Sequence, residues 1–141
     1  MTEHKQTEII IDDYPMLVDE GLEDLIINFF HWEIETCNSC IDMDGSIWIE
    51  FCDYKDWKRF LQLALRNNIQ IKARDHERET LWDFLQKAKV TLVFDEEVIN
   101  NPNIAEEVMG TGVLIICVGL KFPKDRLEDF KELFFEVFPP E

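Results

Sequence analysis

The feature that most constrains the fold is a unit used twice. In "IWIEFCDYKDWKRFLQLA" and again in "LIICVGLKFPKDRLEDFKELF", an apolar strand pattern runs into a short polar turn and then an amphipathic helix. In the first copy Ile47, Ile49 and Phe51 share one face of a strand, and Trp48, Glu50 and Cys52 share the other. Trp57, Phe60, Leu61 and Ala64 then repeat at helical spacing, with Asp53 at the N-cap position. In the second copy the uninterrupted apolar run 113–120 reads as a central strand covered on both faces. Pro123 then opens a helix with Leu127, Phe130, Phe134 and Val137 inward.

Each copy is preceded by a further helix and strand, so that helix, strand, loop, strand, helix spans 16–68 and again 77–138. In the first half, Val18, Leu22, Leu25, Ile26, Phe29 and Phe30 form one helical face, placing a helix over Met16–Phe30. Glu33–Cys37 and Ser46–Cys52 read as paired strands, with Asp44-Gly45 turning between them. Asn67-Asn68 closes the next helix and IQIKA (69–73) reads as a short strand. In the second half a helix is expected over Glu77–Lys87, a strand over 90–94, and a helical turn or two in NPNIAEEVMG (101–110). EIIID (8–12) adds a short strand, and residues 1–7 read as frayed. The sum is one α+β domain over 1–141, with two layers. A largely antiparallel sheet carries amphipathic helices, arranged as a pseudo-repeat of an α-β-β-α unit.

Composition narrows the function classes. The chain is 46% hydrophobic with eleven Phe and four Trp, enough to build a core. Its 30 acidic residues against 14 basic ones give a formal charge of −16. That charge disfavours nucleic-acid backbones; it reads first as solubility, and as a functional signal it reads as a basic protein partner or mimicry of a nucleic-acid surface. No stretch approaches the roughly 20 apolar residues of a membrane span, and the start MTEHKQTE lacks the apolar core of a signal peptide. A cytoplasmic location is therefore expected, with Cys37, Cys40, Cys52 and Cys117 as thiols.

The densest chemistry lies in "EIETCNSCIDMDGSIWIEF" (33–51). Cys37 and Cys40 have the spacing of a redox dithiol, and with His31 they form the candidate set for a thiol enzyme or redox sensor. Yet they follow a strand and precede an acidic loop, where negative neighbours raise a thiol pKa. Zinc would need Cys37, Cys40, Cys52 and His31 to converge from helix, loop and strand, and a second close ligand couple is missing. No metal and no cofactor are expected. An EF-hand alignment through Gly45 puts Cys40 and Phe51 where carboxylates belong, which excludes calcium of that type. His76, in "RDHERET", reads as part of a solvated helix start. Trp32, Trp57 and Trp82 lie on apolar faces. Trp48 shares a strand face with Glu50, and an accessible Trp marks interaction sites. Trp48, Glu50, Asp42 and Asp44 are therefore the candidate binding residues of a non-catalytic acidic interaction or regulatory module.

Over residues 20–65 the chain resembles small uncharacterised bacterial proteins with a T-x-x-S-C turn between two strands, here Thr36, Ser39 and Cys40, followed by Ile47-Trp48-Ile49-Glu50-Phe51. The resemblance implies no activity. It implies a hairpin in which the two hydroxyls serve backbone groups and Cys40 packs inward.

Overall fold

The computed structural model describes residues 5–93 and 117–140, and the statements below concern these. The expected turns at 101–110 and the first part of the 113–120 run lie outside them.

The chain opens with a hairpin, β1 (Gln6–Ile11) and β2 (Tyr14–Asp19), paired from Gln6↔Asp19 to Ile11↔Tyr14. Its two-residue turn has positive φ at both Asp12 (49°) and Asp13 (69°), the backbone that matches strand twist in a tight hairpin. Gln6 and Thr7, expected to be frayed, are thus paired. The helix expected from Met16 starts only at Glu23, as α1 (Glu23–His31). Val18 and Leu22, four residues apart, fit a helical face, but cross-strand pairing claims residues 14–19. Pro15 fits there because both strands of a two-stranded ribbon are edges.

β3 (Thr36–Ile41) and β4 (Ser46–Phe51) follow, joined by a turn in which Gly45 (φ 81°) takes the left-handed conformation. The Asp44 carboxylate accepts the Ser46 N–H at 3.0 Å. The cysteine segment is therefore strand, not turn. β3 starts three residues later than expected and runs through both Cys37 and Cys40. A register shift between Thr36 and Asn38 marks a bulge at Cys37.

α2 (Tyr54–Lys72) is 19 residues long. Asp53 stands at its N-cap with extended backbone, but its side chain makes no cap bond. The helix passes through Asn67-Asn68 and absorbs the stretch expected as a strand at 69–73. Ile71 lies one heptad beyond Ala64, and both are buried on the same stripe as Phe60. Asn68 does not break the helix; its side-chain oxygen accepts the Thr80 hydroxyl at 2.7 Å. α3 (Leu81–Lys87) begins four residues later than expected, where Thr80 and Asp83 form a reciprocal capping box. β5 (Lys89–Val93) and β6 (Cys117–Pro123) come next. Pro123 ends β6 rather than opening a helix. A 3-10 turn, Lys124–Arg126, leads into α4 (Leu127–Val137).

The second sheet has the order β3-β4-β6-β5 and is antiparallel throughout. The two α-β-β-α units, α1-β3-β4-α2 and α3-β5-β6-α4, meet through their inner strands β4 and β6, with Ile49 opposite Leu120. The structure is thus an α+β fold with the unit arrangement the sequence implied.

The four helices among the described residues all touch the same face of this sheet. Phe29 (α1) and Phe60 (α2) lie against Phe51, each with ring centroids at 5.4 Å. Phe84 (α3) and Phe130 (α4) lie against Phe122 at 5.3 and 4.8 Å. Ile47, Ile49, Phe51, Val118 and Leu120 are wholly buried there, and Ile9 and Val18 of the hairpin join the same core. Among the described residues no helix is long and apolar enough to cross a membrane.

Candidate functional site

Strand parity dictates what lies on the opposite, outer face of the sheet. With Ile47, Ile49 and Phe51 turned to the helices, Trp48 and Glu50 of β4 must turn away. With Val118, Leu120 and Phe122 inward, Cys117, Gly119 and Lys121 of β6 also turn away. On β3, Cys40 is opposite Trp48 and Asn38 is opposite Glu50. The run at 113–120 was expected to be covered on both faces. The described part, β6, is central in the strand order, but its outer face meets the Trp48 side chain rather than any of the four described helices. A Cβ at position 119 would overlap the six-membered ring of Trp48, so the indole lies directly on Gly119.

Two polar groups flank this indole. At the β3–β4 turn, Lys121 Nζ lies 2.9 Å from an Asp44 oxygen and 4.0 Å from Asp42. The Lys121 bond holds the Asp44 carboxyl below its ordinary value, and the bond to Asp44 in turn raises Lys121. Asp42 and Asp44 are therefore partly neutralised from within the molecule, which the sequence did not reveal.

At the other end the β3 bulge brings Cys37 to the outer face. Its Sγ donates to Glu50 at 2.9 Å. Cys117 Sγ donates to the Cys52 carbonyl oxygen at 3.2 Å. Cys37 Sγ, a Glu50 carboxylate oxygen and Cys117 Sγ all lie within 4.8 Å of one another. The Cys52 thiol is near enough to act on that of Cys37 but lies outside this group of three. Three strands thus deliver two thiols and a carboxylate to one place.

Cys37, Cys40 and Cys52 are held in the neutral form. Burial of its sulfur, although the residue as a whole is exposed, and then the bond to Glu50 push the Cys37 thiol far above its ordinary value. Burial, then the 2.9 Å bond to Asp42, pushes Cys40 up to about 12. Cys52 is pushed up to about 11, chiefly by burial; the bond from Cys37 lowers it, and the charges of Glu35 and Asp56 raise it again. A thiol with a raised pKa is a weak nucleophile at neutral pH.

The sequence-based candidates separate accordingly. Trp48 and Glu50 share the outer face, with Asp42 and Asp44 at its turn end. Cys40 also faces outward, contrary to the inward packing implied by the T-x-x-S-C resemblance; Thr36 and Ser39 are the members of that motif that are buried. Cys37 and Cys40 lie on the same side of the sheet but bond different carboxylates. His31 is not among the metal-ligand cluster; it ends α1, edge-on to Trp32 at 6.2 Å, beside a cleft lined with Asn28 and Phe135. His76 is exposed in the turn between α2 and α3. Trp57 is buried, and Trp32 and Trp82 pack half-buried against the core.

Cys117, Gly119 and Lys121 were missed. The signal was their alternation at i, i+2 and i+4, hidden because Cys and Gly read as apolar in an apolar run. The chain has no significant match among protein-family models, curated proteins or solved structures.

Proposed function

We propose that the protein is a non-catalytic binding module, cytoplasmic, that engages a cationic segment of another protein with the outer face of its four-stranded sheet. The observation that carries this reading is the Trp48 indole laid on Gly119, on the face that none of the four described helices covers. A rigid aromatic of this kind is the usual anchor of a protein interface. Glu50 beside it supplies negative charge, and the formal charge of −16 favours encounter with a basic partner. The neutral thiols weigh against the alternative of a thiol-dependent enzyme built on Cys37 and Cys40.

The test is capture from native cell extract with wild-type protein and Trp48→Ala in parallel. The expected result is a basic protein retained by the wild type, released by added salt and lost with Trp48→Ala. Retention indifferent to both the substitution and salt would remove this reading.

A further inference from the structure

We propose that Cys37, Glu50 and Cys117 form a binding site for a thiophilic divalent cation of the zinc class on the outer face of the sheet. This goes beyond the binding-module reading and does not depend on it. It also departs from the donor set considered from sequence, since Cys40 and His31 play no part.

The argument is geometric first. Cys37 Sγ, the Glu50 oxygen and Cys117 Sγ lie within 4.8 Å of one another. Tetrahedral zinc with bonds of about 2.3 Å to sulfur sets neighbouring donors about 3.8 Å apart, so closing the set needs shifts of about 1 Å or less per donor. Cys52 does not belong to this group, so the three donors leave a fourth tetrahedral position for water or a ligand from outside the chain. The donors come from β3, β4 and β6, whose backbones are hydrogen-bonded to one another. A site on paired strands is held more rigidly than one on a loop.

The donor chemistry selects the metal. Thiolates with one carboxylate suit zinc and its soft neighbours, and they exclude calcium and magnesium, which take oxygen ligands. Electrostatics favours a cation of any kind here, because Glu50 touches the cluster and the charges of Glu35 and Asp56 act on Cys52. On binding, each ligating thiol gives its proton to solvent and the metal takes the sulfur lone pair. The bulge at Cys37 gains a role in this arrangement. Regular pairing would turn Cys37 away from Asn38's face, and the extra residue is what returns its sulfur to Glu50.

The experiment titrates the reduced, metal-free full chain with zinc against a chromophoric chelator, and with cobalt(II) to read thiolate-to-metal charge transfer. One equivalent is expected to bind with a charge-transfer band. Cys37→Ser and Cys117→Ser should each weaken binding by about tenfold or more, and Cys40→Ser should leave it unchanged. A ligand variant can fail to fold, so the wild type is also alkylated with and without zinc and read residue by residue. Zinc should protect Cys37 and Cys117 and leave the rate at Cys40 unaltered. The proposal fails if the wild type binds no stoichiometric zinc, if binding survives the Cys37→Ser/Cys117→Ser double substitution, or if zinc protects Cys40 as well as Cys37 and Cys117.

Discussion

Trp48 lies against Gly119, one strand away, so closely that even a methyl group at position 119 would overlap the indole ring. The two residues stand 71 positions apart in sequence, and the β4–β6 register, with Glu50 opposite Gly119, places them side by side. The indole takes the space a side chain would fill on the central strand, and glycine is what permits it.

Gly119→Ala should therefore displace the indole, at a cost of about 1–3 kcal/mol from overpacking. Trp48→Ala should relieve most of that cost in the double variant, giving a coupling of about 0.5–3 kcal/mol in a double-mutant cycle. Denaturant unfolding measures both quantities. Additive effects of the two substitutions would show that the ring and the glycine do not depend on each other.

Burial on the inner face of β6 should dominate stability. Leu120 is fully buried opposite Ile49 on the central strand, so Leu120→Ala should cost about 2–5 kcal/mol. Phe60, ringed by Phe29, Phe51, Phe134 and Phe138, should cost about 3–5 kcal/mol as Phe60→Ala. Unfolding midpoints with unchanged m-values are the readout. A loss below about 1 kcal/mol at Leu120 would mean β6 is not central.

The thiols should make stability fall at alkaline pH. In the folded protein Cys52 titrates near 11 and Cys40 near 12, against an ordinary value of 9.0. Between those values the folded protein keeps protons that the unfolded chain has lost. The contribution is complete below pH 9.0 and declines as pH rises toward 11 and 12. Chemical denaturation across this window should show the decline, and Cys40→Ser should flatten its upper part. In metal-free protein at neutral pH, Cys37 and Cys40 should also alkylate more slowly folded than denatured. Both lie on one strand, where three residues of extended chain span about 10 Å, so oxidation should not join them. Fast alkylation of either with an apparent pKa below about 7 would return the thiol-enzyme reading.

The α3 start should depend on its capping box. Thr80→Ala removes the bond to the Asp83 N–H and the bond to Asn68, and should cost about 0.5–2 kcal/mol. Burial raises the Asp83 carboxyl, but bonds from Lys72 and Thr80 outweigh it and leave the value lowered. Its stabilising contribution is therefore present above the ordinary value of 3.8 and is lost as pH falls through the lower folded value. Asp83→Asn should reduce that acid-side loss in a stability–pH series. An unchanged acid limb in Asp83→Asn would show that the box carries no charge-dependent stability.

Alternation made the faces of β4 readable, because a period of two leaves only one way to bury Ile47, Ile49 and Phe51 together. The long stripe of α2 and the turn at Asp44-Gly45 were readable for the same local reasons. The segment 14–19 was not. Its apolar spacing serves a helix or a strand equally, and the decision came from pairing with residues 6–11 across a turn of two aspartates that carries no glycine signal. The end of α2 was misread because Asn67-Asn68 is only a weak breaker. A buried place for Ile71 and a partner for Asn68 across the turn kept the helix going.

Side-chain period and turn chemistry alone specify an α+β chain of two strand-pair units with one greasy and one mixed sheet face. They also place Trp48 and Glu50 on the mixed face. Only the tertiary structure decided what stands next to them. Cys117 reaches the Cys52 backbone across 65 positions, and Lys121 takes the Asp42–Asp44 turn. Such contacts depend on strand order and register, which are set by how the whole core packs. The thiol cluster and the Trp48–Gly119 stack belong to that level, because each is made of residues from strands that meet only when β4 and β6 pair.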